Sequence, residues 1–466
     1  MTDDVARQTA IELLGHYRRK SLSPVDAAKA VIDRIRTKDG ALNAFCLVDE
    51  EAALAAARQS EARWAEGEPR GRLDGVPVLI KDLVLTKGWP TRRGSKTVDP
   101  DQPWDTDAPS VARLREQGAV LIGKTTTPEF GWKGVTDSPL TGVSRNPWDT
   151  ALTPGGSSGG SAAAVIAGMA PLSIGTDGGG SIRIPAAFCG AVGMKASFGR
   201  VPAYPPSPFG TLAHVGPIAR TVPDAALMLS VIAGSDARDW HALPSDGRDY
   251  GDGLNDGVKG LRVAFSKDLG YAKVEGEVAG AVSRAAHAFE DLGAIVEEVH
   301  PGFENPHDSF LVPWFVGAAR AIGALTPAQR RLVDPGLLEI AEKGAGYSLD
   351  DYLDAGHYRT AIGTKMRLFH ERYDLLLTPT MPLVAFAAGQ NFPTIGDNQR
   401  WLDWSPFTYP FNFTGQPAIS VPCGFTDSGL PVGLQIIATN YADALVLRAA
   451  QAYQGGHPET VRQPAI

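Results

Sequence analysis

Two short stretches hold residues whose types and spacing could do chemistry. The first is Pro154-Gly155-Gly156-Ser157-Ser158-Gly159-Gly160-Ser161, and the second is Gly178-Gly179-Gly180-Ser181-Ile182-Arg183. Clustered glycine frees the backbone to take torsions closed to other residues and to approach a ligand closely. N–H groups exposed in such a loop can stabilise an anion. Four readings compete. A phosphate-binding loop has its bare pattern elsewhere, from Gly118 to Gly123-Lys124-Thr125. Its spacer Ala119-Val120-Leu121-Ile122 reads as a buried strand, and Thr126-Thr127-Pro128 stands where a helix should begin. A Gly-x-Ser-x-Gly elbow matches around Ser157 and again around Ser158, but an elbow follows a strand directly, and Thr150 to Pro154 makes a poor one. The Ser-x-x-Lys of penicillin-binding enzymes does not occur in the chain. A flexible linker would not be flanked by a buried strand and a small-residue helix.

The longer pattern is more specific. Residues 75–82, 118–130 and 144–200 resemble the amidase signature family. The likeness is carried by Asn146-Pro147-Trp148, by the run from Pro154 to Ser161, and by Ser181-Ile182-Arg183-Ile184-Pro185-Ala186. It resumes in Gly415-Gln416-Pro417-Ala418 and in Gly429-Leu430-Pro431-Val432-Gly433-Leu434-Gln435. The resemblance implies an α/β fold with a large mixed sheet covered by helices on both faces. It implies hydrolysis of a carboxylic amide to an acid plus ammonia or an amine, without a cofactor.

Amides are poor electrophiles with a poor leaving group, so their hydrolysis needs an activated nucleophile, a proton for the departing nitrogen and a site for the oxyanion. By the resemblance, Ser181 is the nucleophile, Ser157 relays the proton and Lys81 is the base. Lys81 must then be neutral, which burial can achieve. The N–H groups of Gly178, Gly179, Gly180 and Ser181 are implied as the oxyanion hole, and a cis peptide is implied between Gly156 and Ser157. Asp177 and Arg183 read as loop-holding partners, Ser158 and Ser161 as structural hydroxyls, Cys189 as a small core residue and His214 as a local structural residue. Phe130, Trp132, Phe407 and Tyr409, with Trp404 and Phe411, are candidates for an aromatic substrate pocket that would favour apolar or aryl acyl groups.

Two rival functions remain open. One is the glutaminase subunit of a tRNA-dependent amidotransferase. The stretch Thr211-Leu212-Ala213-His214-Val215-Gly216-Pro217 departs from the Ser-Leu-Asp-Gln pattern associated with that subunit. The other is a non-catalytic binding protein of the same fold, against which intact Ser181, Ser157 and Lys81 argue.

The elements that must position these residues can be read from periodicity. Residues 5–65 read as helices, with Ser23 capping and Pro24 opening the second. Val76-Pro77-Val78-Leu79-Ile80 reads as a strand delivering Lys81 to a loop. Helix is expected at 109–118, strand at Ala119 to Ile122, loop over 125–160, helix from Ser161 to Met169 and strand from Pro171 to Gly175. Beyond residue 222 the chain alternates helix 223–233, strand 261–265, helix 277–292 and strand 294–298. Residues 300–370 are mainly helical. Strands follow at Asp374 to Leu377, Ala418 to Val421 and Val432 to Ile437, with a closing helix over 441–454. Such alternation argues for an α/β sheet protein. The expected organisation is one domain over 1–466: a helical segment 1–70, a signature core 71–235 and a C-terminal part 236–466.

Composition narrows the partners. The 466 residues carry 44 basic against 52 acidic side chains, a net charge of −8, with no long Lys/Arg run. That disfavours nucleic acid. Three widely spaced cysteines suggest a reducing compartment. No signal peptide is visible and no apolar run reaches the roughly 18 residues that span a bilayer. The expectation is a cytoplasmic enzyme acting on a small-molecule amide, compatible with a homodimer. None of the nine histidines has metal-ligand spacing, so no metal is expected.

Overall fold

The computed structural model describes residues 5–393, 400 and 402–466. Its strands are β1 (Phe45–Val48), β2 (Pro77–Lys81), β3 (Val120–Thr125), β4 (Asp137–Ser138), β5 (Gly142–Val143), β6 (Leu172–Asp177) and β7 (Val192–Lys195). They continue as β8 (His214–Ala219), β9 (Arg262–Phe265), β10 (Ile295–Glu298), β11 (Leu375–Pro379), β12 (Ala418–Phe425) and β13 (Pro431–Ala438). Eleven of them form one sheet in the order β1-β3-β2-β6-β8-β7-β12-β13-β11-β9-β10, while β4 and β5 make a separate pair. The sheet is mixed: β2 runs parallel to both β3 and β6, β9 runs parallel to β10 and β11, and the strands between β6 and β11 pair antiparallel.

Strand periodicity of two sends alternate side chains to opposite faces. Val78 and Ile80 enter a core with Leu172, Ile174, Val263, Leu375, Leu377, Leu434 and Ile436, closed by the helices Val222–Ile232, Gly276–Asp291 and Asp443–Gly456. Leu79, Val120, Ile122 and Ile218 enter a second core under the helices Pro24–Leu42, Gly159–Ile166 and Arg183–Cys189. A third core, rich in aromatics, gathers Leu376, Ala418 and Ile437 beneath His307–Ile322 and Pro335–Ala345. Both sheet faces are therefore buried, which is why the central strands read as apolar runs and not as alternating patterns.

Ser23 caps its helix by accepting the Asp26 N–H, with Pro24 in the first turn, as its sequence predicts. The N-terminal segment needs one correction. It is not all helical, because Asn43 takes a left-handed conformation with φ 51° and ends the helix, and Phe45–Val48 then pairs antiparallel with β3. β7 and β8 also escape sequence reading. They carry Gly193, Gly216 and Pro217, poor strand formers that pairing within the sheet overrides.

Candidate active site

β2 and β6 are parallel neighbours, with Ile80 opposite Ile174, so their C-terminal ends reach the same edge of the sheet. Such edges are where open α/β sheets form crevices. β2 ends on Lys81, while β6 ends on Thr176 and Asp177 and leads directly into Gly178–Ser181. Ser157 and Ser158 arrive at the same place, just ahead of the small-residue helix Gly159–Ile166. Gly156, Gly159 and Gly160 allow that approach. A Cβ on Gly156 would come within 2.5 Å of the Val135 backbone, and one on Gly160 within 2.4 Å of Thr126 Oγ1. The Gly156–Ser157 peptide is cis.

Lys81 is fully buried. Its Nζ lies 2.7 Å from Ser157 Oγ, 2.9 Å from Ser158 Oγ and 2.8 Å from Thr176 Oγ1. Burial pushes its pKa well below the ordinary lysine value, with the charge of Asp177 opposing the shift. Ser181 borders the same cavity as Ser157 and Thr176, and its carbonyl accepts the Ser158 N–H at 3.1 Å. The hydroxyls of Ser157 and Ser181 share the cavity but form no hydrogen bond with each other among the described residues.

The loop after β6 is held by one carboxylate. Asp177 accepts from Gly180 N at 2.7 Å, Ile182 N at 3.2 Å, Arg183 Nε at 2.9 Å and Asn412 Nδ2 at 2.8 Å. Burial alone would raise its pKa, but the adjacent Arg183 guanidinium, Lys195 and Asn412 hold it below the usual carboxylate range. Arg183 in turn donates to Thr408 O, Gln435 Oε1 and Asn412 Oδ1. The loop-holding role read for Asp177 and Arg183 is what the structure shows.

This arrangement corrects the oxyanion-hole assignment at Gly180, whose N–H is donated to Asp177 and is not available to a ligand. The N–H groups of Gly178, Gly179 and Ser181 have no such partner among the described residues. The aromatic pocket is corrected as well. Phe130 lines the cavity that contains Ser157 and Ser181. Trp132 lies behind it, facing a separate cleft with Phe315 and Gly336. Phe407 and Tyr409 are buried core, as are Trp404 and Phe411. The Tyr409 hydroxyl donates to Asn305 and Trp404 stacks on Phe188. These four aromatics pack into the third core, and Arg183 ties the segment down by bonding Thr408 O and Asn412 Oδ1.

Sequence reasoning misses Thr176, which reaches Lys81 only through strand pairing, and gives Ser158 no place beside the lysine. It also misses the segment Pro202–Phe209 and Trp314, which wall the cavity. Burial first, then the nearby Lys195 charge, lowers the His214 pKa well below the ordinary imidazole value, and its Nδ1 faces the carbonyls of Leu212 and Asp177. Lys124 of the phosphate-loop pattern is buried inside the sheet against Val84 O and Thr91 Oγ1. Among the described residues no group of His, Cys, Asp or Glu is placed to hold a metal, and no helix is long and apolar enough to cross a membrane.

Comparison with known proteins identifies the family. The family model described as Amidase matches residues 26–447. An acylamidase of Rhodococcus erythropolis is 39% identical over 464 residues, covering 98% of this chain and 97% of that protein. A glutamyl-tRNA(Gln) amidotransferase subunit from Moorella thermoacetica is 38% identical over 487 residues, covering 98% of both. The crystal structure of a bacterial aryl acylamidase of the amidase signature enzymes superposes with a TM-score of 0.92 at 31% identity, over 97% of each chain. A lysine buried among hydroxyls beside a glycine-serine loop is thus set in a fold and sequence shared with these enzymes from end to end, and the chain belongs to the amidase family, whose members hydrolyse amides.

Proposed function

We propose that the protein hydrolyses small-molecule carboxylic amides through Ser181, Ser157 and Lys81. The observation that carries this reading is Lys81, buried and deprotonation-prone, 2.7 Å from Ser157 Oγ at the wall of the cavity that Ser181 borders. Ser181 Oγ attacks the carbonyl carbon while its proton passes to Ser157 and the Ser157 proton passes to Lys81 Nζ. The C–N bond then breaks, and the nitrogen leaves with the proton returned through Ser157. Water attacks the acyl-enzyme by the same path and releases the acid and Ser181. The unpartnered N–H groups of Gly178, Gly179 and Ser181 are the donors for the oxyanion.

The cavity favours an apolar acyl group. Leu83, Val84, Phe130, Phe209 and Trp314 line it. The acylamidase relatives support an acyl amide or anilide as substrate. Likeness to the amidotransferase subunit keeps glutamine as the second reading, but among the described residues no Asp or Glu lines the cavity to meet the ammonium of glutamine. The three cysteines are unpaired, which supports a cytoplasmic location, and the net charge of −8 supports action without nucleic acid.

The test is a hydrolysis screen of aliphatic amides, aryl amides, anilides and glutamine with the isolated protein, alongside labelling by a fluorophosphonate. Turnover of acyl amides or anilides with labelling at Ser181 is expected. Turnover of glutamine alone would shift the assignment to the glutaminase. Neither turnover nor labelling would leave a binding protein.

A further inference from the structure

The cavity wall carries an arginine, Arg93. Among the described residues that line it, Arg93 is the only Arg, Lys, Asp or Glu. The remainder is apolar, hydroxyl-bearing or His214, whose pKa burial lowers. Arg93 is partly buried, and its guanidinium makes no hydrogen bond or ion pair among the described residues. The carboxylate that influences it, Asp82, is already engaged: it accepts the N–H groups of Arg92 at 3.1 Å and Gly94 at 3.2 Å and sits 3.8 Å from Lys124 Nζ.

The position of Arg93 is built, not incidental. Its φ of 56° places a non-glycine residue in the left-handed region, and Gly94 follows at φ 63°. A conformation of this kind persists only where its surroundings fix it. Here Asp82 clamps the amides on both sides of Arg93, and the Arg93 carbonyl accepts the Phe130 N–H at 2.8 Å. Phe130 precedes Gly131, whose Cβ position would lie 3.3 Å from Ser157 Oγ. The same short backbone link thus ties the arginine to the reacting hydroxyls. Desolvation lowers the guanidinium pKa, with Asp82 pulling the other way. Hydration lost in this way is recovered when a planar carboxylate docks on the fork.

We propose that Arg93 is a specificity-determining residue that binds a carboxylate on the substrate, so that the preferred amides carry an apolar body and an anionic end. This rests on the amide-hydrolase reading above. The carboxylate could belong to the acyl part, as in the monoamide of a dicarboxylic acid, or to the amine part, as in an N-acylated amino acid. Free glutamine is a poorer match, since its ammonium meets no acid among the described residues of the cavity.

The experiment compares kcat/KM for matched pairs. Glutaramic acid against pentanamide tests the acyl arm, and N-pentanoylglycine against N-propylpentanamide tests the amine arm. The wild-type enzyme should prefer the anionic member of one pair by about tenfold or more, the scale of one desolvated charge-assisted contact. Arg93→Gln should reduce that anionic-to-neutral ratio by about tenfold, and Arg93→Lys should restore part of it. The ratio is internal to each enzyme, so a general loss of activity does not mimic the result. Calorimetric binding of glutarate, weakened in Arg93→Gln, gives a readout that needs no turnover. Neutral amides turned over with no anionic preference in either arm, or a ratio unchanged by Arg93→Gln, would overturn the proposal. No hydrolysis and no fluorophosphonate labelling would instead overturn the amide-hydrolase reading.

Discussion

Lys81 Nζ sits 2.7 Å from Ser157 Oγ, inside a ring of hydroxyls that Ser158 and Thr176 complete. Ser158 already donates its hydroxyl proton to Thr176 O at 3.1 Å, so it can only accept from the lysine. Ser157 has no other side-chain partner among the described residues, which leaves its proton free to point at a neutral amine.

Activity should follow the protonation of that amine. Burial lowers the Lys81 pKa, so the neutral, basic form is present at lower pH than for an ordinary lysine. The expected kcat/KM rises with pH through the lowered pKa and stays high into the alkaline range. Lys81→Ala should remove this limb and lower the rate by about 10²–10⁴-fold. Lys81→Arg should not restore it, because a guanidinium does not deprotonate. A surviving limb in either variant would assign the base elsewhere.

Ser181→Ala should abolish both turnover and fluorophosphonate labelling while changing stability by less than about 1 kcal/mol, since only a hydroxyl at a cavity wall is lost. Ser157→Ala should leave slow labelling of Ser181 intact but hurt amides more than esters with good leaving groups, because leaving-group protonation runs through Ser157. The amide-to-ester rate ratio of the variant reads this directly. An unchanged ratio with near-normal rates would mean that Ser157 is a loop hydroxyl only.

The Asp177–Arg183 pair gives a stability test. Both side chains are fully buried. Asp177→Asn leaves the guanidinium unpaired and should cost roughly 3–5 kcal/mol in denaturant unfolding. The sign with pH is set by the depressed Asp177 pKa: its contribution is complete above the ordinary carboxylate value near 3.8 and is lost only as pH falls through the lower folded value. Mild acid should therefore silence Lys81 reversibly while the folded loop persists. Unfolding that accompanies the loss of activity point for point would contradict this.

What the sequence can show is whatever lies close together along it. Lys81 at the end of an apolar run, and the two glycine-serine clusters, stand in contiguous segments whose composition is itself the signal. Thr176 is invisible in that sense, because it meets Lys81 only through the pairing of β2 with β6. Gly180 is misassigned from sequence because a glycine looks equally free whether or not an Asp three residues earlier takes its N–H. Phe407 and Tyr409 are misassigned because aromatic character does not reveal which face of a segment is inside. That is set by packing against residues distant in the sequence, with Arg183, more than 200 residues away, tying the segment at Thr408 and Asn412. Arg93 needs three facts absent from any motif: its left-handed turn, the clamp by Asp82 and the lack of a counter-ion among the described residues.

Gly178 offers a test of how the cavity wall shapes the oxyanion loop. A Cβ at this position would approach the Trp314 ring to 2.8 Å at Cζ3 and 3.2 Å at Cη2, both on the outer edge of the indole. Trp314 is itself held, stacked on Phe209 with ring centroids 4.0 Å apart and donating Nε1 to Trp132 O at 3.2 Å, so it cannot simply move aside. Gly178→Ala should therefore displace the loop and lower kcat far more than it raises KM, because the misplaced groups are the N–H donors needed in the transition state. Trp314→Phe shortens the ring and removes the atoms that collide. The double variant should regain part of the rate that Gly178→Ala loses, even though Trp314→Phe alone sacrifices a hydrogen bond. A double-mutant cycle in kcat/KM measures this coupling, expected in the range of about 0.5–3 kcal/mol for residues in contact. Strict additivity of the two single effects would show that Trp314 does not confine the loop.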